Sequence, residues 1–310
     1  MDAAVQFPTT PKAAKAAALH LSKRMSLEQS FEAIMRNGIE QILENEVGVT
    51  RFHDMESLHQ MRVGVRRLRA ALAMFDEVLR SPEEIALELV WLMDQLGPAR
   101  DWDVLLTETL PQVEDALPGN PALAGVRDAV QQARLASHEQ VAREVSSLRF
   151  KRLVKHLEQW VDQRGWRDGL SPKGKTRLKM HAVDFADTVL AAEQQRLLKR
   201  GSKLKGATPE QRHRVRIAAK RARYAAEFFA SVYPARRVRP YLGAMAGLQR
   251  QLGLLNDGAV ARKLVCKLCA GNDGLREGGA LVCGYLACGE QRGGQQLGRW
   301  WKRHAPVAPF

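Results

Sequence analysis

The sequence predicts an all-α protein built of two helical halves, each near a four-helix bundle, related by approximate two-fold symmetry. Three observations predict it. Strand-like alternation is hard to find anywhere in the 310 residues, whereas apolar positions recur at helical spacing. Pro and Gly punctuate these stretches, in places with N-cap signatures. Finally, LHQMRVGVRRLR at 58–69 returns as RHRVRIAAKRAR at 212–223, an offset of 154. Phe75 matches Phe229 at the same offset, and LGPARDWD at 96–103 resembles LGLLNDGA at 252–259 at an offset of 156. A whole helical unit therefore recurs, not a short motif.

The elements follow in order. Residues 1–25 read as a flexible N-terminal extension. Helix one is expected from Ser26 to Val47, with Phe31, Ile34, Ile42 and Leu43 on its apolar stripe. Helix two covers about Asp54 to Leu79. Ser81-Pro82-Glu83-Glu84 reads as a start signal, with Ser as N-cap, and helix three runs from it to Leu96, stopping at Gly97-Pro98. A shorter helix follows from about Asp101, another from Pro121 to about Ser147, and the next from Phe150 to Gln163. Residues 165–175, GWRDGLSPKGK, form the clearest linker, dividing halves at about 26–164 and 176–303. Beyond it, helices are expected at 176–200, 209–233, 236–253, 257–270 and 278–303, the second opened by the capping signature Thr208-Pro209-Glu210-Gln211, with a tail at 304–310.

The chain is 45% hydrophobic and 26% charged, enough apolar surface for a core and not the balance of a disordered chain. Its net charge of +14 points to nucleic acid, anionic lipid or another polyanion. Residues 1–150 carry a net −6 and residues 151–310 a net +20, so the first basic block stands against its regional trend. No apolar run approaches the roughly 20 residues needed to cross a bilayer, and the N-terminus lacks a signal-peptide pattern, so a cytoplasmic protein is expected.

The repeated blocks carry the chemistry. At about 100° per residue, His59, Arg62, Arg66 and Arg69 fall within an arc of about 80°. Met61, Val65, Leu68, Leu72 and Phe75 occupy the opposite side. In the second copy His213, Arg216, Lys220 and Arg223 take the cationic arc, and Val215, Ala219, Ala222, Ala226 and Phe229 take the core arc. Arg67 and Arg221 flank the rows. A row spanning ten residues is roughly 15 Å long. Like charges this close destabilise a helix by a few tenths of a kcal/mol per pair. No carboxylate occurs from His59 to Phe75 or from His213 to Tyr224, so the compensating anion is expected to be a ligand. Arginine forks suit paired phosphate oxygens, lysine adds a mobile charge, and histidine adds a donor whose charge bound phosphate would raise. The isolated His20, His138 and His156 read as surface or core residues.

Cys266, Cys269, Cys283 and Cys288 follow C-x2-C-x13-C-x4-C, loosely like a zinc site. Both pairs sit in apolar helical stretches, where cysteine serves as a small buried hydrophobe, so no metal and no cofactor is expected.

The pattern H-x-x-R-x-x-x-[RK]-[RK]-x-R, complete in both copies of an all-helical chain of this length, resembles the CHAD family (conserved histidine α-helical domain), over residues 26–303. The resemblance implies two four-helix bundles around a pseudo-two-fold axis with a basic central channel. It implies binding of inorganic polyphosphate, association with polyphosphate granules, and a binding module without catalytic activity. The residues it assigns to polyphosphate are His59, Arg62, Arg66, Arg67, Arg69, His213, Arg216, Lys220, Arg221 and Arg223. No E-x-E-x-K strand of the fused triphosphate-tunnel enzymes occurs.

Two other readings compete. A nucleic-acid binder would use the same salt-sensitive contacts, but aromatics for stacking bases are only 6%, and Tyr224 beside the second block is matched by Ala70. A phosphoanhydride-processing enzyme needs Mg²⁺ held by carboxylates. Asp101, Asp103 and Asp257 are the best candidates, each also placed as a first-turn cap after a helix-breaking segment.

Overall fold

The computed structural model describes residues 11–204, 206–304 and 307–310. Among these it is helical throughout, with no strand and one isolated antiparallel bridge, Ser26 to His181. Twelve α-helices follow in order: α1 Leu27–Leu43, α2 Glu46–Phe52, α3 Met55–Phe75, α4 Glu83–Val104, α5 Leu110–Ala116, α6 Ala122–Val145, α7 Leu148–Asp162, α8 Pro172–Arg177, α9 Ala182–Gly201, α10 Pro209–Phe229, α11 Ala235–Cys269 and α12 Arg276–His304.

The two basic blocks lie on α3 and α10, and each of these helices packs between two others of its own half. In the first half α3 lies against α1 and α4; in the second α10 lies against α9 and α11. Their starts are fixed locally. Asp54 caps α3 by accepting from the Ser57 amide at 2.7 Å, and Thr208 and Gln211 form a reciprocal capping box at the start of α10. Gly64 lets α1 approach α3: a Cβ there would stand 2.9 Å from Ile42 Cγ1 and 3.2 Å from the Gly38 carbonyl oxygen. All ten residues of the two predicted core arcs are buried.

Several boundaries depart from expectation. Helix one is split into α1 and α2. The Ser81 start signal is displaced, because Pro82 is the N-cap of α4 and no side chain caps it. Helix α4 does not stop at Gly97-Pro98 but continues to Val104, followed by a single π-helical turn, Leu105–Thr109. Leu92, Leu96, Ala99 and Trp102 are all buried, so the apolar face passes unbroken through the proline and outweighs its local cost. Likewise the two helices expected at 236–253 and 257–270 are one, α11, of 35 residues and about 52 Å.

The first core is built mainly from the first half but takes in Phe185, Phe228, Phe229 and Val232 of the second, the second core lies within the second half, and a third again joins the two. Trp102, Leu105, Val113 and Val130 from the first half pack with Ala261, Val265 and Val282 of α11 and α12. The halves are therefore not separate bundles, since the far part of α11 belongs to a core made of both. Phe75 and Phe229, equivalent residues of the repeat, meet at 6.3 Å between ring centroids, with Phe185 at 4.7 and 6.1 Å from them.

The segment expected as a linker is a clasp. Trp166 is fully buried and donates to Glu28 Oε1 at 2.9 Å, and Arg167 donates to both Glu28 oxygens at 2.6 Å. Arg167 holds the Glu28 carboxyl below its ordinary range. Trp166 also packs edge-on against Phe31 and Trp160.

Of the expected flexible extension, residues 1–10 lie outside the described residues. The rest is tied down: Asn45 exchanges hydrogen bonds with the Ala14 backbone at 3.0 and 2.8 Å, and Ser231 does the same with Leu21 at 2.8 and 3.0 Å. The tail docks as well. Phe310 packs on Tyr233 and Tyr241, while Trp300 and Trp301 pack against the second core.

Candidate functional site

Helices α3 and α10 bring the middles of their cationic rows together, Arg62 and Arg66 on one and Arg216 and Lys220 on the other, while Arg69 and His213 at the row ends are exposed. Arg66 Nε donates to the Tyr224 hydroxyl across the gap at 3.2 Å. The electrostatic couplings give the same arrangement. Arg62 is depressed to about 10, first by burial, then by repulsion from Arg66, with Arg100 and Arg216 adding to it and Asp101 opposing it. Burial, followed by Arg216, Arg66 and Arg62, takes the Lys220 ammonium down to about 7. Arg216 is lowered in turn by burial and by Arg66, against attraction from Asp257 and Asp101. The equivalent pairs Arg62 with Arg216, Arg66 with Lys220, and Asp101 with Asp257 each feel one another. Equivalent residues of a repeat interact in this way only where the copies face each other.

Burial and the neighbouring Arg100, Arg66 and Arg62 take His59 down to about 4, which leaves it neutral at neutral pH. Among the described residues, His59, Arg62, Arg66, Arg69, His213, Arg216 and Lys220 make no ion pair within 4 Å. The Arg62 Nε is buried without a partner; its Nη1 reaches the Met93 carbonyl at 3.4 Å, in the turn that Pro98 disturbs.

The other three predicted residues carry counter-ions, against the expectation that the blocks lack nearby carboxylates. Arg67 is buried, donates to Asn37 Oδ1 at 2.8 Å, pairs with Glu227 at 3.6 Å and lies 5.1 Å over the Phe228 ring. Arg223 pairs with Glu227 at 2.6 Å and donates to Gln249 at 3.0 Å. Arg221 pairs with Glu193 at 2.8 Å. Glu227 stands four residues beyond Arg223, an i,i+4 pairing that the sequence displays, whereas Glu193 comes from α9 and gives no local signal.

The three aspartates do not act as helix caps. Asp101 and Asp257 lie inside α4 and α11, facing the cations. Burial, together with Asp257, raises the Asp101 carboxyl above its ordinary range, against the pull of Arg62 and Arg216. Asp103 is elsewhere: fully buried, it meets His138 Nε2 at 2.8 Å and Arg134 Nε at 2.9 Å. His138 is thus a core residue.

Among the described residues no group of three or more His, Cys, Asp or Glu could hold a metal ion. The cysteines are also not all buried hydrophobes. Cys266 and Cys288 are exposed, and Cys266 Sγ approaches Cys283 Sγ to 3.7 Å. No helix among the described residues is long and apolar enough to cross a membrane.

Comparison with known proteins agrees with this architecture. No curated protein matches the chain significantly. Among solved structures, the CHAD domain from the plant Ricinus communis is 35% identical, covering 93% of this chain and 94% of that one, with a TM-score of 0.83. PptA from Streptomyces chartreusis, 15% identical, covers 90% of this chain and 99% of that one at a TM-score of 0.65, a likeness of fold. The CHAD domain family model matches residues 33–266, and the chain belongs to the CHAD family.

Proposed function

We propose that this chain binds inorganic polyphosphate between the facing rows of α3 and α10, in a basic channel set about a pseudo-two-fold axis. The contacting groups are His59, Arg62, Arg66, Arg69, His213, Arg216 and Lys220, with Arg67, Arg221 and Arg223 as flanking cations held by the protein's own carboxylates. One observation carries the reading: the partly buried, mutually repelling Arg62, Arg66, Arg216 and Lys220 are held together with Asp101 and Asp257 as their acidic neighbours and, among the described residues, no carboxylate within ion-pair distance of any of the four. Burial, followed by neighbouring cations, lowers Lys220 to about 7 and His59 to about 4, and an anion bound between the rows would favour their charged forms. A chain of linked phosphates supplies closely spaced negative oxygens along its whole length, and arginine forks take them in pairs.

Two observations favour polyphosphate over nucleic acid. Tyr224, the aromatic nearest the rows, spends its hydroxyl on Arg66, and its ring is stacked with Phe228 at 6.2 Å and 20°. It is therefore not free as a platform for bases. The reading also includes no catalysis. Asp103 is committed to His138 and Arg134, leaving Asp101 and Asp257 among cations that compete for them. The protein then serves as a cytoplasmic binding module, including on polyphosphate granules.

Calorimetric titration against tripolyphosphate, long-chain polyphosphate and double-stranded DNA tests the reading. Long-chain polyphosphate should bind and excess DNA should not displace it. Displacement by DNA, or orthophosphate release from polyphosphate with Mg²⁺, would overturn the corresponding part.

A further inference from the structure

The second row does not end in bulk solvent. At the N-terminal end of α10, His213 and Arg216 line a groove of about 410 Å³ together with Arg214 and Lys263. Arg212 and Glu290 line this groove and also a larger one of about 940 Å³ along α12, where Arg299 and Lys302 are exposed. The closed Arg212–Glu290 pair thus lies at the boundary between the two grooves. From Glu290 to Lys302 the helix runs about 18 Å.

The junction is built to be opened by an anion. Arg212 Nη1 donates to the Ala207 carbonyl at 3.0 Å, which fixes the guanidinium over α12, and Nη2 donates to Glu290 Oε1 at 2.5 Å. Gly294 leaves that side of α12 bare, a Cβ there standing 3.9 Å from Arg212 Nη1. Glu290 also pairs weakly with Arg262 at 3.8 Å. A phosphate oxygen can take the place of the Glu290 carboxylate on Arg212, leaving Glu290 with Arg262. In the α12 groove three cations then stand against this single acid.

We infer that the path from His213 past Arg212 and Glu290 to Arg299 and Lys302 is a second lane, which holds the part of a long polyphosphate chain that emerges from the rows. This rests on the proposed function, which it extends from the facing rows to α12. The lane makes the protein discriminate by length: a short chain is satisfied between the rows, and a longer one gains the added contacts as an intramolecular extension.

The test compares tripolyphosphate with long-chain polyphosphate on the full chain. Arg299→Glu with Lys302→Glu changes two exposed side chains and should leave the helical circular dichroism and tripolyphosphate affinity unchanged. Long-chain affinity should fall about 10-fold or more. Glu290→Gln should raise long-chain affinity severalfold with no gain for tripolyphosphate. Equal losses for both ligands, or none for either, would overturn the lane while leaving binding at the rows intact. Failure of the unaltered protein to bind either ligand would instead overturn the reading on which the lane rests.

Discussion

Lys220 gives the site a pH dependence of calculable sign and size. Its ammonium is lowered from an ordinary 10.5 to about 7, because burial and Arg216, Arg66 and Arg62 oppose its charge more than Asp257 supports it. Bound polyphosphate restores the charged form. Binding therefore takes up protons between about pH 7 and pH 10.5, and affinity falls as pH rises through that window. With a single group going from about 7 to its ordinary value, uptake is about 0.5 proton at pH 7 and about 0.9 at pH 8, and the Kd rises ~50-fold from pH 7 to 9, or about 2.3 kcal/mol. The internal phosphates of the ligand are strong acids and keep their charge over this range. The empty protein should show the converse. Its unfolded state binds the lysine proton more tightly than the folded state, so stability rises with pH in the same window. The assay is calorimetric titration at pH 7, 8 and 9 in two buffers of different ionisation heat. Lys220→Arg, which stays charged, should bind with a nearly flat profile. A flat profile in the unaltered protein, or an unchanged slope in Lys220→Arg, would show that Lys220 does not change its charge on binding.

Other outcomes follow from the same geometry. Affinity should fall with added salt, with a log–log slope of ~−3.5 from the five unpaired Arg and Lys of the rows. Arg67→Ala should cost about 3 kcal/mol in denaturant unfolding, because it leaves Asn37 and the Phe228 face without their partner, while polyphosphate affinity changes about twofold at most. Trp166→Ala should cost about 3–5 kcal/mol and strip Glu28 of a buried donor, a loss that calorimetric unfolding would read. Gly278→Ala would place a Cβ 2.1 Å from the Ala122 carbonyl oxygen and should destabilise the shared third core by about 1–3 kcal/mol, seen as a lower Tm.

The rows and their phase were legible in the sequence because helical periodicity places every residue of a 12-residue block relative to every other. The Thr208 capping box was legible for the same local reason. What was not legible depended on distant partners. Gly97-Pro98 reads as a stop, and the buried run of Leu92, Leu96, Ala99 and Trp102 outweighs it. Residues 165–175 read as a linker by their Gly, Ser and Pro, but Trp166 closes on Glu28 of α1, 138 positions away. Arg221 looked free because Glu193 lies on a different helix. Local signals report propensity, and packing decides wherever a continuous apolar face crosses a breaker.

Arg62 and Arg216 are equivalent residues that repel each other across the site, with Asp101 and Asp257 nearby but, among the described residues, no carboxylate within ion-pair distance of either. Titrating long-chain polyphosphate into the Arg62→Ala, Arg216→Ala protein tests binding between the rows most directly. Affinity should drop by two orders of magnitude or more with helical content unchanged. An affinity equal to that of the unaltered protein would contradict binding there.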